Sequence, residues 1–346
     1  MHNYNNMNDL DQYNDFEAEF DPMATDRQAR RKRKKKVNHI PKKAQDEIIS
    51  EIADTTGIEG GFETTYKPAR HEAVWLYESL KILYQQAMIT DVLSMVKGGK
   101  EASVYRCQPH ESVDEEFLAA KVYRPRMFRN LRNDKMYREG RQVLTETGQP
   151  VDARDVRTIR AIGKKSAYGQ QVAHTSWLMH EFNAMKTLYQ AGADVPEPFA
   201  AGENVILMSY VGSETMPAPP LHTVDLLEDE VQPLFDTVMR NITLMLQHGM
   251  IHGDLSEYNI LYWDGKVTLI DFPQIVDVET NPNAQMILKR DIVRVCQYFN
   301  QFGLNVNADE IHDNLWAEYG TIDDPDFIYE LEDLDDEDDW DDADDF

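Results

Sequence analysis

The 346 residues, 42% of them hydrophobic, suffice for one large or two modest folded units with a proper core. The net charge of −27 averages very unequal parts: residues 323–345 hold fifteen Asp or Glu, and removing those leaves −12 for the rest. Two distant cysteines, Cys107 and Cys296, exclude a disulfide framework and a paired-thiol metal site. They fit a reducing compartment.

The opening MHNYNNMNDL is too polar for a signal peptide, and no run reaches the roughly 20 apolar residues of a membrane span. A soluble, cytoplasmic chain without a membrane partner is expected. Residues 1–63 lack apolar periodicity and read as a disordered region, with a short helix near Ala44–Ile52. From Arg27 to Lys36, eight residues in ten are basic: a solvated tail, a contact for phosphate backbones such as RNA, or an import signal.

From Tyr66 the sequence becomes globular. Tyr77, Leu80, Tyr84 and Ala87 recur at helical spacing and predict an amphipathic helix. Two strands follow, Asp91–Val96 and Ala102–Cys107, around Gly98-Gly99-Lys100-Glu101; a third, Phe117–Tyr123, is apolar except for Lys121. Residues 124–170, basic and polar, read as a long mobile insertion. Trp177–Gln190 is predicted as a helix stopped by Ala191-Gly192, Val205–Met208 as a buried strand, and Gly212–Pro220 as a linker.

The second half opens on a long helix, with Val231, Leu234, Phe235, Val238, Ile242, Met245 and Leu246 on one stripe and His248-Gly249 as its stop. Ile260–Trp263 and Lys266–Ile270 pair through Asp264-Gly265, a dipeptide suited to a type I′ turn. Leu288, Ile292, Val295, Cys296 and Phe299 mark a further helix. After Ile322 the like charges repel and keep the tail unstructured. It serves solubility, masks the basic run, or binds a cationic partner.

The segment Ile251–Phe272 carries the densest chemistry. Asp254 lies in a loop after a helix, Asn259 five residues on, and Asp271 at the end of a hairpin whose tight turn brings its ends together. Asn259 and Asp271 offer the oxygen ligands magnesium prefers, and Asp254 is placed to accept a hydroxyl proton. The spacing fits the protein-kinase arrangement of a catalytic Asp, a metal-binding Asn and the Asp of Asp-Phe-Gly, here Asp271-Phe272-Pro273. His252 reads as a buried hydrogen-bonding residue. Lys121, inside an apolar strand, needs an anionic partner, which Glu181 on the following helix can supply; a lysine snorkelling at a strand edge is the alternative. Lys97-Gly98-Gly99-Lys100-Glu101-Ala102-Ser103 can lay backbone N–H groups over phosphates, or form an ordinary turn between strands.

The segments KGGKEASVY, AAKVY, WLMHEF, HGDLSEYN and LIDFPQ, in that order, resemble the characteristic blocks of the RIO family of atypical serine/threonine protein kinases. The resemblance implies an α+β, bilobal protein-kinase-like fold of RIO type, with a small β-rich N-lobe, a reduced helical C-lobe and disordered termini. The corresponding segments are a disordered region with the basic run (1–63), the N-lobe with its preceding helix and insertion (64–208), the C-lobe (209–322) and the acidic tail (323–346). ATP and Mg2+ are the implied cofactors, with Mn2+ as a substitute.

By the same resemblance Lys121 would act in catalysis with Asp254, contacting the α- and β-phosphates and pairing with Glu181. Asn259 and Asp271 would hold the metal, and Asp271 would be a site for an acyl-phosphate. Gly98, Gly99, Lys100 and Ser103 would lie near the phosphates, and Met208, Ser209 and Val211 would belong to the hinge that receives adenine. Lys97-Gly98 stands where the family has Ser-Thr, and no Ala-Pro-Glu block follows Asp271. Three functions follow. They are a kinase acting on protein hydroxyls, its own included; an ATPase switch on a ribosomal precursor during ribosome biogenesis; and a catalytically silent scaffold, against which the intact Lys121, Asp254, Asn259 and Asp271 count. Aminoglycoside-type phosphotransferases share His-Gly-Asp, but the Lys-Glu-x-x-Val-Tyr and Ser-Glu-Tyr-Asn blocks argue against them.

Overall fold

The structure, a computed structural model, describes residues 64–99, 102–124, 137, 140–152, 154–164 and 166–320. The helix expected at 44–52, the basic run 27–36, Lys100 and the acidic tail lie outside the described residues. Helix α1 (Arg70–Gln85) precedes a five-stranded sheet, and helices α2 (Val156–Gly163) and α3 (Ala167–Gln190) interrupt the sheet between its third and fourth strands. The strands are β1 (Ile89–Gly98), β2 (Ala102–Pro109), β3 (Leu118–Tyr123), β4 (Pro198–Ala201) and β5 (Val205–Ser209). All neighbours run antiparallel, in the order β1-β2-β3-β5-β4.

Strand β3 pairs on both edges, and all six of its residues are buried. Its side chains alternate between two cores. Leu118, Ala120 and Val122 join Leu76, Leu80 and Leu83 of α1; Ala119 and Tyr123 join Trp177 and Leu178 of α3. A strand covered on both faces reads as a continuous apolar run, which is why the sequence shows one there. The predicted stripe on α1 is corrected by one position: Leu76, Leu80 and Leu83 are buried, Tyr84 is exposed, and Ala87 lies beyond the helix.

The second part of the 124–170 stretch is ordered, contrary to expectation. Leu144 bridges Pro150, α2 follows, and α3 begins ten residues before the predicted Trp177. Ser166 caps α3 by accepting from the Gly169 N–H at 3.1 Å. A Cβ on Gly169 would sit 2.0 Å from the Ala161 carbonyl oxygen, so the helix pair closes only around a glycine.

The second lobe is mainly helical. Helix α4 (Glu228–Gln247) buries the whole predicted stripe, from Val231 to Leu246. Strand β6 (Met250–Ile251) leads into the loop holding Asp254. Strands β7 (Ile260–Trp263) and β8 (Lys266–Leu269) form the expected hairpin, with Asp264 and Gly265 at φ 49° and 74°, as a type I′ turn requires. Strand β9 (Val276–Asp277) returns to pair with β6, and helices α5 (Ala284–Asn300) and α6 (Ala308–Tyr319) complete the described lobe. The sequence predicts α5, but not β6, β9 or α6. No helix among the described residues is long and apolar enough to cross a membrane.

Candidate active site

The loop after β6 is fixed from three sides. Gly253 has φ +82°, and a Cβ there would meet the Gln274 carbonyl oxygen at 2.1 Å, so only glycine allows the two segments to touch. His252, buried, donates from Nε2 to the Ile270 carbonyl (3.1 Å), while its Nδ1 accepts from the Asp254 N–H (3.3 Å). That is the structural role expected of it. Asn259 Nδ2 donates to the Asp254 carbonyl (2.9 Å) and to its Oδ2 (3.1 Å). With the amide nitrogen committed to Asp254, Asn259 Oδ1 points the other way. The Ile270 N–H donates to the Asn259 carbonyl at 3.0 Å, which brings Asp271 alongside Asn259 as the hairpin predicts.

Across the cleft, Lys121 occupies the one polar position of β3. Its Nζ donates to Glu181 Oε1 at 2.6 Å and to Asp271 Oδ1. The pairing with Glu181 is the one expected, and it removes the strand-edge alternative. Glu181 is itself held by the Tyr123 hydroxyl, which donates to its other oxygen. Burial pushes the Lys121 ammonium toward the neutral form, but Asp271 and Glu181 outweigh it and hold its pKa well above the usual lysine value. Burial likewise pushes the Asp271 carboxyl up, and the Lys121 ammonium, with Lys97 at longer range, holds it below the usual carboxylate range. The Asp271 side chain is 40% exposed, at φ +74°.

The remaining predicted residues divide. Gly98 ends β1, paired with Ser103, and the Gly99 N–H donates to the Ala102 carbonyl at 2.9 Å. A Cβ on Gly99 would lie 2.7 Å from that same oxygen, so the ends of β1 and β2 meet only around a glycine. Ser103 is a correction. Strand alternation places its buried side chain on the face shared by Tyr105 and Cys107, against the α1 core, not on the Lys121 face. At the hinge, the Met208 side chain is buried in the sheet, the Ser209 N–H already donates to the Glu197 carbonyl (2.8 Å), and the Val211 carbonyl accepts from Ala218 (3.0 Å). Adenine would have to use other backbone groups of this segment.

Three residues of α5 belong to the site although the sequence did not reveal them. Asp291 Oδ2 accepts from the Gly253 N–H at 2.8 Å, Arg290 donates to the Gly253 carbonyl, and Arg294 Nη1 donates to Asp254 Oδ1 at 2.8 Å. A signal existed: Asp291 falls within the apolar stripe of Leu288, Ile292 and Val295, where a charge needs a buried partner. Tyr137 and Arg141, from the insertion, also reach this region, through Arg290 (2.6 Å) and through the Pro273 and Ile275 carbonyls.

Two protein oxygens, on Asn259 and Asp271, suit a hard cation whose other ligands are water and phosphate. Among the described residues no group of three His, Cys, Asp or Glu gathers into a competing metal site.

A family model described as the RIO domain matches residues 103–311. The RIO-type serine/threonine-protein kinase Rio1 of Haloferax volcanii is 29% identical over 233 residues, covering 67% of this chain and 71% of its own. The protein of the same name from Thermoplasma acidophilum is 34% identical over 137 residues, 40% of this chain and 70% of its own. A crystal structure of the Rio2 kinase-ADP/Mg2+-phosphoaspartate complex from Chaetomium thermophilum aligns with 84% of this chain and 85% of that one, at 21% identity and a TM-score of 0.48.

Proposed function

Because the chain belongs to the RIO family, we propose that it is an atypical serine/threonine protein kinase, moving the γ-phosphate of ATP to protein hydroxyls, its own included. The observation that carries this reading is the bridge of Lys121 between Glu181 and Asp271, facing Asp254 and Asn259 across the cleft. An ammonium with two carboxylate partners can exchange one for phosphate. When nucleotide enters, Lys121 keeps Glu181 and gives up Asp271 for the α- and β-phosphates. Asp271 and the Oδ1 of Asn259 would then hold a metal ion. A bound Mg2+, or Mn2+ in its place, would neutralise charge on the phosphates. Gly98 and Gly99, with Lys100 beyond them, cover the phosphates; Ser103 takes no part. The backbone between Met208 and Val211 receives adenine.

The hydroxyl of the acceptor lies against Asp254 Oδ2. Its oxygen forms the new bond to the γ-phosphorus, and its proton passes to Asp254. The bond from the γ-phosphorus to the bridging oxygen breaks, with its electron pair leaving on ADP. Incubating the chain with γ-labelled ATP tests this: label on protein supports the kinase, and free phosphate alone overturns protein phosphorylation as the main activity.

A second reading, an ATPase switch, is favoured by the small C-lobe. Among the described residues only α5 and α6 follow β9, little on which to dock a peptide. A ribosomal precursor as its partner would engage Arg27–Lys36, in a cytoplasmic setting. Adding such particles to the labelled-ATP assay separates the two.

A further inference from the structure

Residues 255–258, Leu-Ser-Glu-Tyr, bring no cation to Asp254, although the Asp254 side chain is only 8% exposed. An ionised carboxylate so deep needs one. The cation comes from α5, 40 residues along the chain. Arg294, 2% exposed, donates to Oδ1 at 2.8 Å, while Asn259 Nδ2 donates to Oδ2. Two donors on two different oxygens fix the rotation of a carboxylate about its χ2, which neither could do alone. The same helix holds the adjacent backbone, through Asp291 on the Gly253 N–H and Arg290 on the Gly253 carbonyl. Peptide and side chain of the loop are therefore located by one rigid element.

We infer that Arg294 is a positioning residue for phosphoryl transfer: it occupies Asp254 Oδ1 so that Oδ2 alone faces the acceptor hydroxyl. The inference rests on the kinase reading. Stability gives no comparable reason for an arginine here, because burying an ion pair gains little over an apolar pair of the same volume. What the pair supplies is direction. The guanidinium stays charged throughout and exchanges no proton; it acts through Asp254.

The test uses the full chain and four variants, R294Q, R294K, D254N and D254N/R294Q, with kcat, KM for ATP, calorimetric binding of Mg-ATP, and melting temperature measured for each. R294Q is expected to lower kcat on the order of 100-fold while KM and binding change by about threefold or less. R294K, which restores charge without the planar fork, should recover part of that loss. In the D254N background, R294Q should change the residual rate by less than about twofold, since nothing remains for it to aim. An R294Q rate near the parent's overturns the inference, as does a fall in nucleotide binding that tracks the fall in kcat. So does an undiminished effect in the D254N background, where both charges are gone and the fold is spared an unpaired one.

If the parent chain neither transfers nor hydrolyses the γ-phosphate, the kinase reading fails, and Arg294 is judged by structure instead. In R294Q crystals with Mg-ATP, an Asp254 carboxylate turned away from Asn259 supports the positioning role, and an unmoved one overturns it.

Discussion

The two aspartates of the second lobe sit at opposite extremes of constraint. Asp254 is buried, both of its carboxylate oxygens accept hydrogen bonds, and α5 holds the backbone beside it. Asp271 is 40% exposed, its ion pair reaches across to the other lobe, and its backbone sits at positive φ, unusual for a residue with a side chain. One carboxylate is built to stay where it is. The other is held by an ammonium that it shares with Glu181. Within a single short motif, the fold separates a fully bonded, buried carboxylate from a half-exposed one held by a single ion pair.

The largest expected effects test that separation directly. Asp254→Ala should lower turnover by about 10³-fold or more with Mg-ATP binding nearly unchanged, whereas Asp271→Ala should lose both. Equal loss of binding in the two variants, by calorimetry, would erase the distinction. Asp291→Ala attacks the clamp itself. It leaves the Gly253 N–H without its acceptor and Arg290 without its carboxylate partner (3.2 Å), and should cost about 3–5 kcal/mol in denaturant unfolding. Stability unchanged within about 0.5 kcal/mol would mean that α5 does not hold the loop.

The exchangeable side is sharpened by Glu181→Gln, which removes the charge that keeps Lys121 in place when Asp271 is released. A drop of about 10–100-fold in kcat/KM for ATP is expected, because hydrogen bonds to charged groups contribute roughly 1.5–3 kcal/mol. The smallest effect concerns the mount of α3, which carries Glu181. Asp155 caps α2, accepting from the Thr158 hydroxyl (2.7 Å) and N–H (3.1 Å), and the Thr158 hydroxyl bond chiefly lowers its pKa. A depressed folded pKa gives stability that is present above the unfolded carboxylate value, near pH 4, and lost as pH falls through the folded value. Melting curves of Asp155→Ala and the parent should therefore differ slightly at pH 6 and converge in acid. A gap that persists at low pH would show that the cap does not depend on the charge.

Much of this was legible because the informative features were local. Asp254, Asn259 and Asp271 are tied by a hairpin whose Asp-Gly turn fixes their proximity, and Lys121 declared its need for a partner by interrupting an apolar run. The stripe of α4 was visible in full. What stayed hidden depended on distant chain. Arg294 meets Asp254 across 40 residues, and it lies outside the Leu288, Ile292, Val295, Cys296 and Phe299 set that marks α5 in the sequence, at a position the fold also buries. Ser103 was misplaced because a loop motif was extended into a strand, where alternation sends successive side chains to opposite faces. The first ten residues of α3 lack a stripe; the contact of Gly169 with α2 supports them. Strands β6 and β9, two residues each, are too short for any period to register.

The lone lysine of β3 has one more effect, on how the chain finds its own alignment. A shift of one position against β2 and β5 would turn every side chain of the strand to the opposite face; Leu118, Ala119, Ala120 and Val122 are apolar enough for either core, but Lys121 is not. The shift would drive an ammonium among Leu76, Leu80 and Leu83 and strip it of Glu181 and Asp271. The residue that bridges Glu181 and Asp271 thereby also keys the sheet, and a mis-set copy of the first lobe is penalised as it forms.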